Sequence, residues 1–520
     1  MKKWLYIILV FQLFCVACFD DETNKDVKEL NPIVIENIDL RYNSFSVYMG
    51  DTLKIEPLVF CEGIPDAKMS FEWKMFGGTI APTVIDSTMF LSAKILAPPF
   101  SNPYTLRYTI KDETTGICRI ETFNITVLSP YGEGLIVADT KDGINSDLSL
   151  VMSKQFSSQI PSTDNQMKIF RDVWSQNNGE PLPGLVLDAV TSSYGTNRSL
   201  SVLTTEHLYR ADHYDFVRIP YESDGQLFQV VPPHIGHGYT KGNFVIITST
   251  SHEIMNANGL VTPRSVQHNN RLFDYTMYPS KVNDYDITLM YAPDRSVAYA
   301  FDALGKRMLF FNYSKCWVPQ EQASGSKFNV CDLSDYEPFF LGEISQGVAL
   351  LAKQKSTGAY KGLVMNKLSS NGPNYAKTVF DFSSAAEIDK AKFFELNIIE
   401  DVMYYATETT LYTTPTVNIN AQPQWTVGQG EKITGIKIYD WAGGNRDHES
   451  IGSGGDIDKV SWGSQNRMIM IFTYNESAKE GKVICVPIVT LGVGGLEQNK
   501  GYHIELSKFG KILGVYKQKK

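Results

Sequence analysis

From Ile33 to Leu128, apolar and polar residues alternate in short runs: Leu53/Ile55, Phe71/Trp73/Met75, Tyr104/Leu106/Tyr108/Ile110 and Phe123/Ile125/Val127. A period of two marks a strand with one face buried and one face wet. Turn formers separate the runs, at Met49-Gly50-Asp51, Gly63-Ile64-Pro65-Asp66, Gly77-Gly78, Pro98-Pro99 and Asp112 to Gly116. About seven strands in about a hundred residues predict an immunoglobulin-like β-sandwich over residues 33–128. Trp73 falls between Cys61 and Cys118, where such a domain packs its core tryptophan.

The pattern changes after Ser129-Pro130. Continuous apolar runs replace the alternation, each beside Gly- or Asn-rich turns. They are 134–138, 184–188, 243–247, 296–301, 347–351, 402–406 and 467–472. Seven runs spaced roughly fifty residues apart predict one per blade of a seven-bladed β-propeller over residues 129–520. The first run begins abruptly at Gly134, without the preceding strand that the others have. The last apolar stretch of the chain, Lys511 to Tyr516, has the missing character. It is expected to pair beside Gly134 and close the ring, removing an open edge. No helix of convincing length and period appears, so the chain reads as all-β.

The N-terminus carries a different signal. Lys2 and Lys3 precede an apolar run from Trp4 to Val16, broken only by Gln12. The run is too short to span ~30 Å of hydrocarbon as a helix, and its basic front fits a signal peptide over residues 1–17. Cys15-Val16-Ala17-Cys18 resembles a bacterial lipobox, with Cys15 where Leu is usual, so Cys18 is expected to carry lipid. The acids of Phe19-Asp20-Asp21-Glu22 resemble the export signal that sends lipoproteins of some Gram-negative gut bacteria to the outer face of the outer membrane. Residues 18–32 then read as a flexible lipidated tether.

Composition narrows the function. Hydrophobic residues at 43% and charged residues at 20% describe globular domains, and a net charge of −9 without a basic block sets nucleic-acid binding aside. Of seven cysteines, Cys15 leaves with the signal and Cys18 takes lipid. In an oxidising compartment, Cys61 with Cys118 and Cys316 with Cys331 are the pairs sequence order suggests. Cys485, in an apolar strand, reads as a buried thiol.

The sequence also resembles PKD-like family lipoproteins found beside SusC/SusD-type nutrient importers. The residues that carry the likeness are 71–73, 104–112, the junction 129–137 and 146–150. The resemblance implies a PKD-like sandwich and an accessory surface subunit that helps a TonB-dependent importer capture oligosaccharides or peptides. SusC/SusD-like subunits and the outer membrane would be its partners.

Searching for chemistry yields little. No GxSxG, HExxH or P-loop occurs, and neither catalytic residues nor a cofactor is expected. His234, His237 and His252 form a sparse group, weak as metal ligands and read as turn residues. Asp139 to Gly143, with Asn145 and Asp147, offers oxygen ligands without EF-hand spacing and reads as a tight hairpin turn. The Gly-rich segment Ile451 to Asp456 reads as a blade loop. Trp441 and Trp425 sit beside polar, Gly-rich segments and are the candidate ligand-stacking residues. The alternatives are a glycan-cleaving propeller enzyme, which would need two poised carboxylates among Asp381, Glu387, Asp389, Glu395, Glu400 and Asp401, and a glycan-binding adhesin.

Overall fold

A computed structural model of the chain describes residues 31–38, 43–78, 80–100, 102–157, 160, 166–194, 197–213, 215–219, 245–249, 252–257, 260–263, 286–292, 297–312, 316–317, 324–367, 376–439 and 466–518. Among these the only α-helix is Val173–Asn178, and no helix is long and apolar enough to cross a membrane. The fold is all-β, in two compact units, Met1–Leu128 and Ser129–Lys520.

In the first unit the period-two runs at 71–75, 104–110 and 123–127 become strands of one five-stranded sheet, and Leu53/Ile55 falls in a smaller one. The order of the large sheet is Ser44–Tyr48, Cys118–Leu128, Tyr104–Asp112, Met69–Gly77 and Ile80–Asp86. Two small sheets, Ile33–Glu36 with Leu58–Cys61 and Thr52–Ile55 with Leu91–Lys94, cover the same apolar core. Trp73 is fully buried there, stacked on Tyr108 with ring centroids 3.8 Å apart, and its Nε1–H donates to the Thr88 carbonyl at 3.0 Å. Such a pair adds about 0.5–1.5 kcal/mol beyond its burial. Arg119 donates to the Ile33 carbonyl at 2.7 Å and so links the large sheet to a small one. The outer edge strand Ile80–Asp86 carries Pro82, which has no N–H to offer a foreign strand.

The Cys61–Cys118 disulfide does not form. Both are free thiols, Cys61 buried and Cys118 exposed. Side-chain parity explains it. On Cys118–Leu128 the inward residues are Phe123, Ile125 and Val127, and Cys118 has the opposite parity. A maleimide added to the native chain is expected to label Cys118 and to spare Cys61 and Cys485 until denaturant is added; mass spectrometry of the labelled peptides would reveal any exchange of those roles. Cys485 is fully buried, and burial pushes its thiol up to about 12. The side chain of Cys316 lies outside the described residues, and with it the proposed pairing to Cys331.

The described strands of the second unit make seven sheets. The first has Lys168–Phe170, Asp147–Met152, Gly134–Thr140 and Lys511–Gln518 in that order. The next two are three-stranded, Val186–Tyr194 to Leu208–Asp212 and Val245–Ser249 to Leu260–Pro263. Ile287–Tyr291 to Cys316–Trp317 forms the fourth, Tyr336–Ile344 to Ala376–Asp381 the fifth and Phe393–Leu396 to Gln422–Thr426 the sixth. The seventh runs from Glu431–Ile438 through Met468–Asn475 to Glu480–Thr490, which also pairs Ile504–Phe509. From the second sheet on, neighbouring strands pair antiparallel in sequence order, except that Ile504–Phe509 also pairs with Glu480–Thr490.

The continuous apolar runs now have a physical cause: most of these sheets have a neighbour on both faces. Val402, Tyr404 and Ala406 pack toward the seventh sheet, whereas Met403 and Tyr405 pack toward the fifth. Likewise Leu135 and Val137 meet the seventh sheet, while Ile136 and Ala138 meet the second. A strand buried on both faces needs apolar side chains at both parities.

The end of the chain returns to the beginning of this unit. Lys511–Gln518 pairs antiparallel with Gly134–Thr140, from Gly134↔Gln518 to Thr140↔Lys511. It also lies against the lead strands Val186–Tyr194 and Glu431–Ile438 of the second and seventh sheets. Lys517 is buried there, 3.2 Å from Glu133 Oε1, and donates to the Phe156 carbonyl and to Tyr439 Oη. Arg171 adds a second tie, donating to the Ser507 and Lys508 carbonyls at 2.8 Å and lying over the Phe509 ring.

Candidate functional site

A groove of about 530 Å³ opens between the fifth and sixth sheets, within the usual range for ligand sites. One wall is the edge of the fifth sheet, Thr378, Val379, Phe380 and Asp381; the other is the segment Thr416 to Ile419. Buried Ile344 and Val364 form an apolar floor. Gln346 lies at one end and Ser384 contributes a hydroxyl.

Local bonds fix the walls. Asp401 accepts from Ser345 Oγ and Gln346 Nε2, both at 2.6 Å, and its carbonyl accepts from Thr416 N–H at 2.8 Å. One carboxylate thereby joins the turn that starts the fifth sheet's second strand to the sixth sheet. Lys377 Nζ donates to the Gln346 carbonyl at 3.0 Å. Asn418 holds φ +58°, the left-handed conformation Asn tolerates better than most residues, and so turns the 416–419 wall. Phe380 lies over Gly362, its register partner; a Cβ there would come within 2.1 Å of the ring. The missing side chain is what lets the ring lie down beside the groove.

Asp381, the charged residue that lines the groove, and two carboxylates outside its lining, Glu387 and Glu400, are already engaged. Lys361 and Ser383 hydrogen-bond to Asp381 and hold its carboxyl down at about 2. Glu387 accepts from Lys390 and Tyr412, which lower it in turn. Glu400 accepts from Arg467 Nη1 and from the Gly492 N–H, both at 2.9 Å. These carboxylates, singled out above as glycosidase candidates, hold turns and loops together.

The hairpin around Asp142 is a tight turn. Its carboxylate accepts from the N–H groups of Ile144 and Asn145 and from the Asn145 side chain, which hold it down at about 2. Among the described residues no His, Cys, Asp or Glu group is arranged to hold a metal ion. Asp139, opposite Asp147 across the hairpin, differs. Burial pushes it up to about 6 against the backbone N–H of Gly510, which favours the anion, and its Oδ1 has no partner. The folded chain therefore holds this proton in a range where an unfolded Asp, near 3.9, has lost it. The contribution of this carboxyl to stability is lost as pH rises from roughly 4 to 6. Asp139→Asn is expected to flatten that slope and to raise stability at pH 7 by roughly 1–3 kcal/mol. Urea unfolding at several pH values checks it; an unchanged slope refutes the assignment.

Of the two candidate tryptophans, Trp425 is placed on Gln422–Thr426 opposite Leu411, half-buried against the core shared by the sixth and seventh sheets. It is a packing residue rather than an open stacking platform, because the strand turns its ring inward. Trp441, Cys18, His234, His237 and the Gly-rich segment 451–456 lie outside the described residues, as does the side chain of His252. The groove itself went unread, since its walls come from separate segments that carry no shared motif.

No curated protein matches the chain. Among solved structures it is similar to the WD40 domain of SCAP from fission yeast, at 9% identity and TM-score 0.33, covering 62% of this chain and 74% of that one. The extracellular domain of a candidate one-component system from B. thetaiotaomicron aligns at 10% identity and TM-score 0.34, over 83% of this chain and 66% of the other. The AfRom2 CNH domain gives 10% identity and TM-score 0.31, over 67% and 94%. Residues 18–185 match the model of the PKD-like family, from Cys18 through the whole Ig-like unit and the first sheet's hairpin to the residue before Val186–Tyr194.

Proposed function

We propose that the chain is a surface lipoprotein acting as a non-catalytic accessory subunit of a SusC/SusD-type importer, in which the PKD-like unit is a spacer and the second unit a seven-bladed propeller that makes the contacts. The observation that carries this reading is the family match, which begins at Cys18, the residue with lipobox neighbours, and runs through the spacer. The acids at 20–22 favour outward display. Seven successive sheets, with the last strand of the chain completing the first, favour the propeller. The groove between the fifth and sixth sheets is then an inter-blade groove, open to an oligosaccharide or a peptide.

Detergent extracts of the native cells test the assignment. The tagged protein is expected to co-purify with an outer-membrane transporter and its lid subunit, and its N-terminal peptide to carry acyl chains on Cys18. Migration alone under mild conditions removes the accessory role; an unmodified N-terminus removes the anchor.

A further inference from the structure

Phe380 turns one ring face into the groove between the fifth and sixth sheets. On Ala376–Asp381, Thr378 and Phe380 share a parity and pair with Val364 and Gly362 of the neighbouring strand. Both face the sixth sheet, because Val364 and Phe380 pack into the core shared with Met403 and Tyr405. A Cβ added at Gly362 would lie 2.1, 2.2 and 2.6 Å from Cζ, Cε1 and Cε2 of Phe380. Near-equal distances to the tip and to the carbons on either side of it place the glycine under the face of the ring, not its edge. The ring therefore lies flat on the sheet, with Phe382 tilted beside it at 5.8 Å. Its other face looks out into the groove that it lines. Around this platform Thr378, Ser384 and Asn418 present side-chain hydroxyl and amide groups that no described residue engages by hydrogen bond. Asp381 completes the rim as an anion, with its countercharge, Lys361, 2.7 Å away and outside the lining.

We infer that this groove binds a neutral oligosaccharide, one pyranose of which stacks on the Phe380 ring. The face of an aromatic ring is the negative pole of its quadrupole, and the axial C–H groups of a pyranose carry the matching partial positive charge. One side of a sugar ring is thus apolar, while its rim bears hydroxyls. The groove is built to match, with a flat aromatic floor beside the aliphatic Ile344 and Val364 and with Thr378, Ser384 and Asn418 around it. A wholly apolar ligand would desolvate those polar groups without giving them partners. The Asp381 carboxylate at the rim accepts from sugar hydroxyls and repels acidic sugars, which makes the ligand neutral rather than a polyuronate. A peptide brings a flat aliphatic face only at proline. The inference rests on the binding role proposed above and narrows its ligand to one chemical class.

The test uses the full mature chain in detergent, without transporter or cells, so its failure is separate from a failure of the importer assignment. The probes are maltohexaose, cellohexaose and mannohexaose, with hexagalacturonate as the acidic counterpart and a capped proline-rich peptide as the competing class, each titrated by calorimetry. At least one neutral hexaose is expected to bind, and hexagalacturonate to bind roughly tenfold more weakly or not at all. Phe380→Leu keeps an apolar side chain but removes the flat face, and Gly362→Ala lifts the ring from its seat. Each is expected to weaken that sugar roughly tenfold or more. Phe380→Trp is expected to retain it, which a merely structural role for the ring would not require. Thr378→Val removes one rim hydroxyl with little change of shape and is expected to weaken it severalfold. Circular dichroism melts report the folding of each variant. Full affinity in the folded Phe380→Leu or Thr378→Val chain, hexagalacturonate bound as tightly as the neutral sugars, or no hexaose bound at about 10 mM overturns the inference. So does a peptide that binds while the sugars do not and is lost in Phe380→Leu, which would make a polypeptide the occupant.

Discussion

Deleting Lys511–Lys520 is expected to abolish cooperative folding of the Ser129–Lys520 unit. The deletion strips the first sheet of the strand that pairs Gly134–Thr140 along its whole length. Leu135 to Ala138, now fully buried, would become an edge with unpaired backbone groups. Ile512, Val515 and Tyr516 leave the cores shared with the seventh and second sheets. At about 1.5–3 kcal/mol for each buried side chain of this size, their loss alone approaches the 5–15 kcal/mol that typically separates folded from unfolded chains. Bonds from Gln518 to the His213 carbonyl and from Thr191 Oγ1 to the Lys517 carbonyl go too. Thermal unfolding followed by circular dichroism, with dye binding to exposed apolar surface, measures the effect. A synthetic peptide of the deleted sequence is expected to restore the transition in trans, because the slot left behind is a strand-shaped gap with a fixed register. A truncated chain that melts within a few degrees of the intact one would show that the terminal strand adds little.

That strand was legible in the sequence because one apolar run lacked a leader and the end of the chain carried a spare. The seven runs were legible for a related reason: each falls in a different sheet. Double burial forces apolar residues at both parities, and that signal survives without any repeat identity. In the second sheet the strongest run marks the lead strand rather than the second one. Asn197–Thr204 hides its role because Ser199 and Ser201 are buried and accept from Arg210, itself fully buried. A polar face inside the fold reads from sequence like a solvated one. The cysteine pairing failed for a reason already present in the residues. Phe123, Ile125 and Val127 set an inward parity that Cys118 does not share, and sequence order alone suggested the bond. Trp425 misled in the opposite direction, since Gly and polar neighbours suggested a loop where a strand carries the ring against Leu411. The groove could not be read at all. Gln346, Thr378 to Asp381 and Thr416 to Ile419 meet only after two sheets pack.

Glu133→Ala is expected to cost roughly 3–5 kcal/mol, the usual penalty for leaving one partner of a buried ion pair without the other. Lys517 Nζ is 1% exposed in its side chain, and Glu133 Oε1 lies 3.2 Å away. The ammonium also donates to the Phe156 carbonyl and to Tyr439 Oη. Replacing both partners separates the cost of breaking the pair from the worth of the pair. Glu133→Leu combined with Lys517→Met fills similar volume without any charge to desolvate, and is expected to fall within about 1–2 kcal/mol of the natural chain or above it. Guanidinium unfolding of the single and double variants closes the cycle. If the alanine variant lost less than about 1 kcal/mol, water must reach Lys517, and the junction of the first and seventh sheets would be held by its strand pairing and apolar core alone.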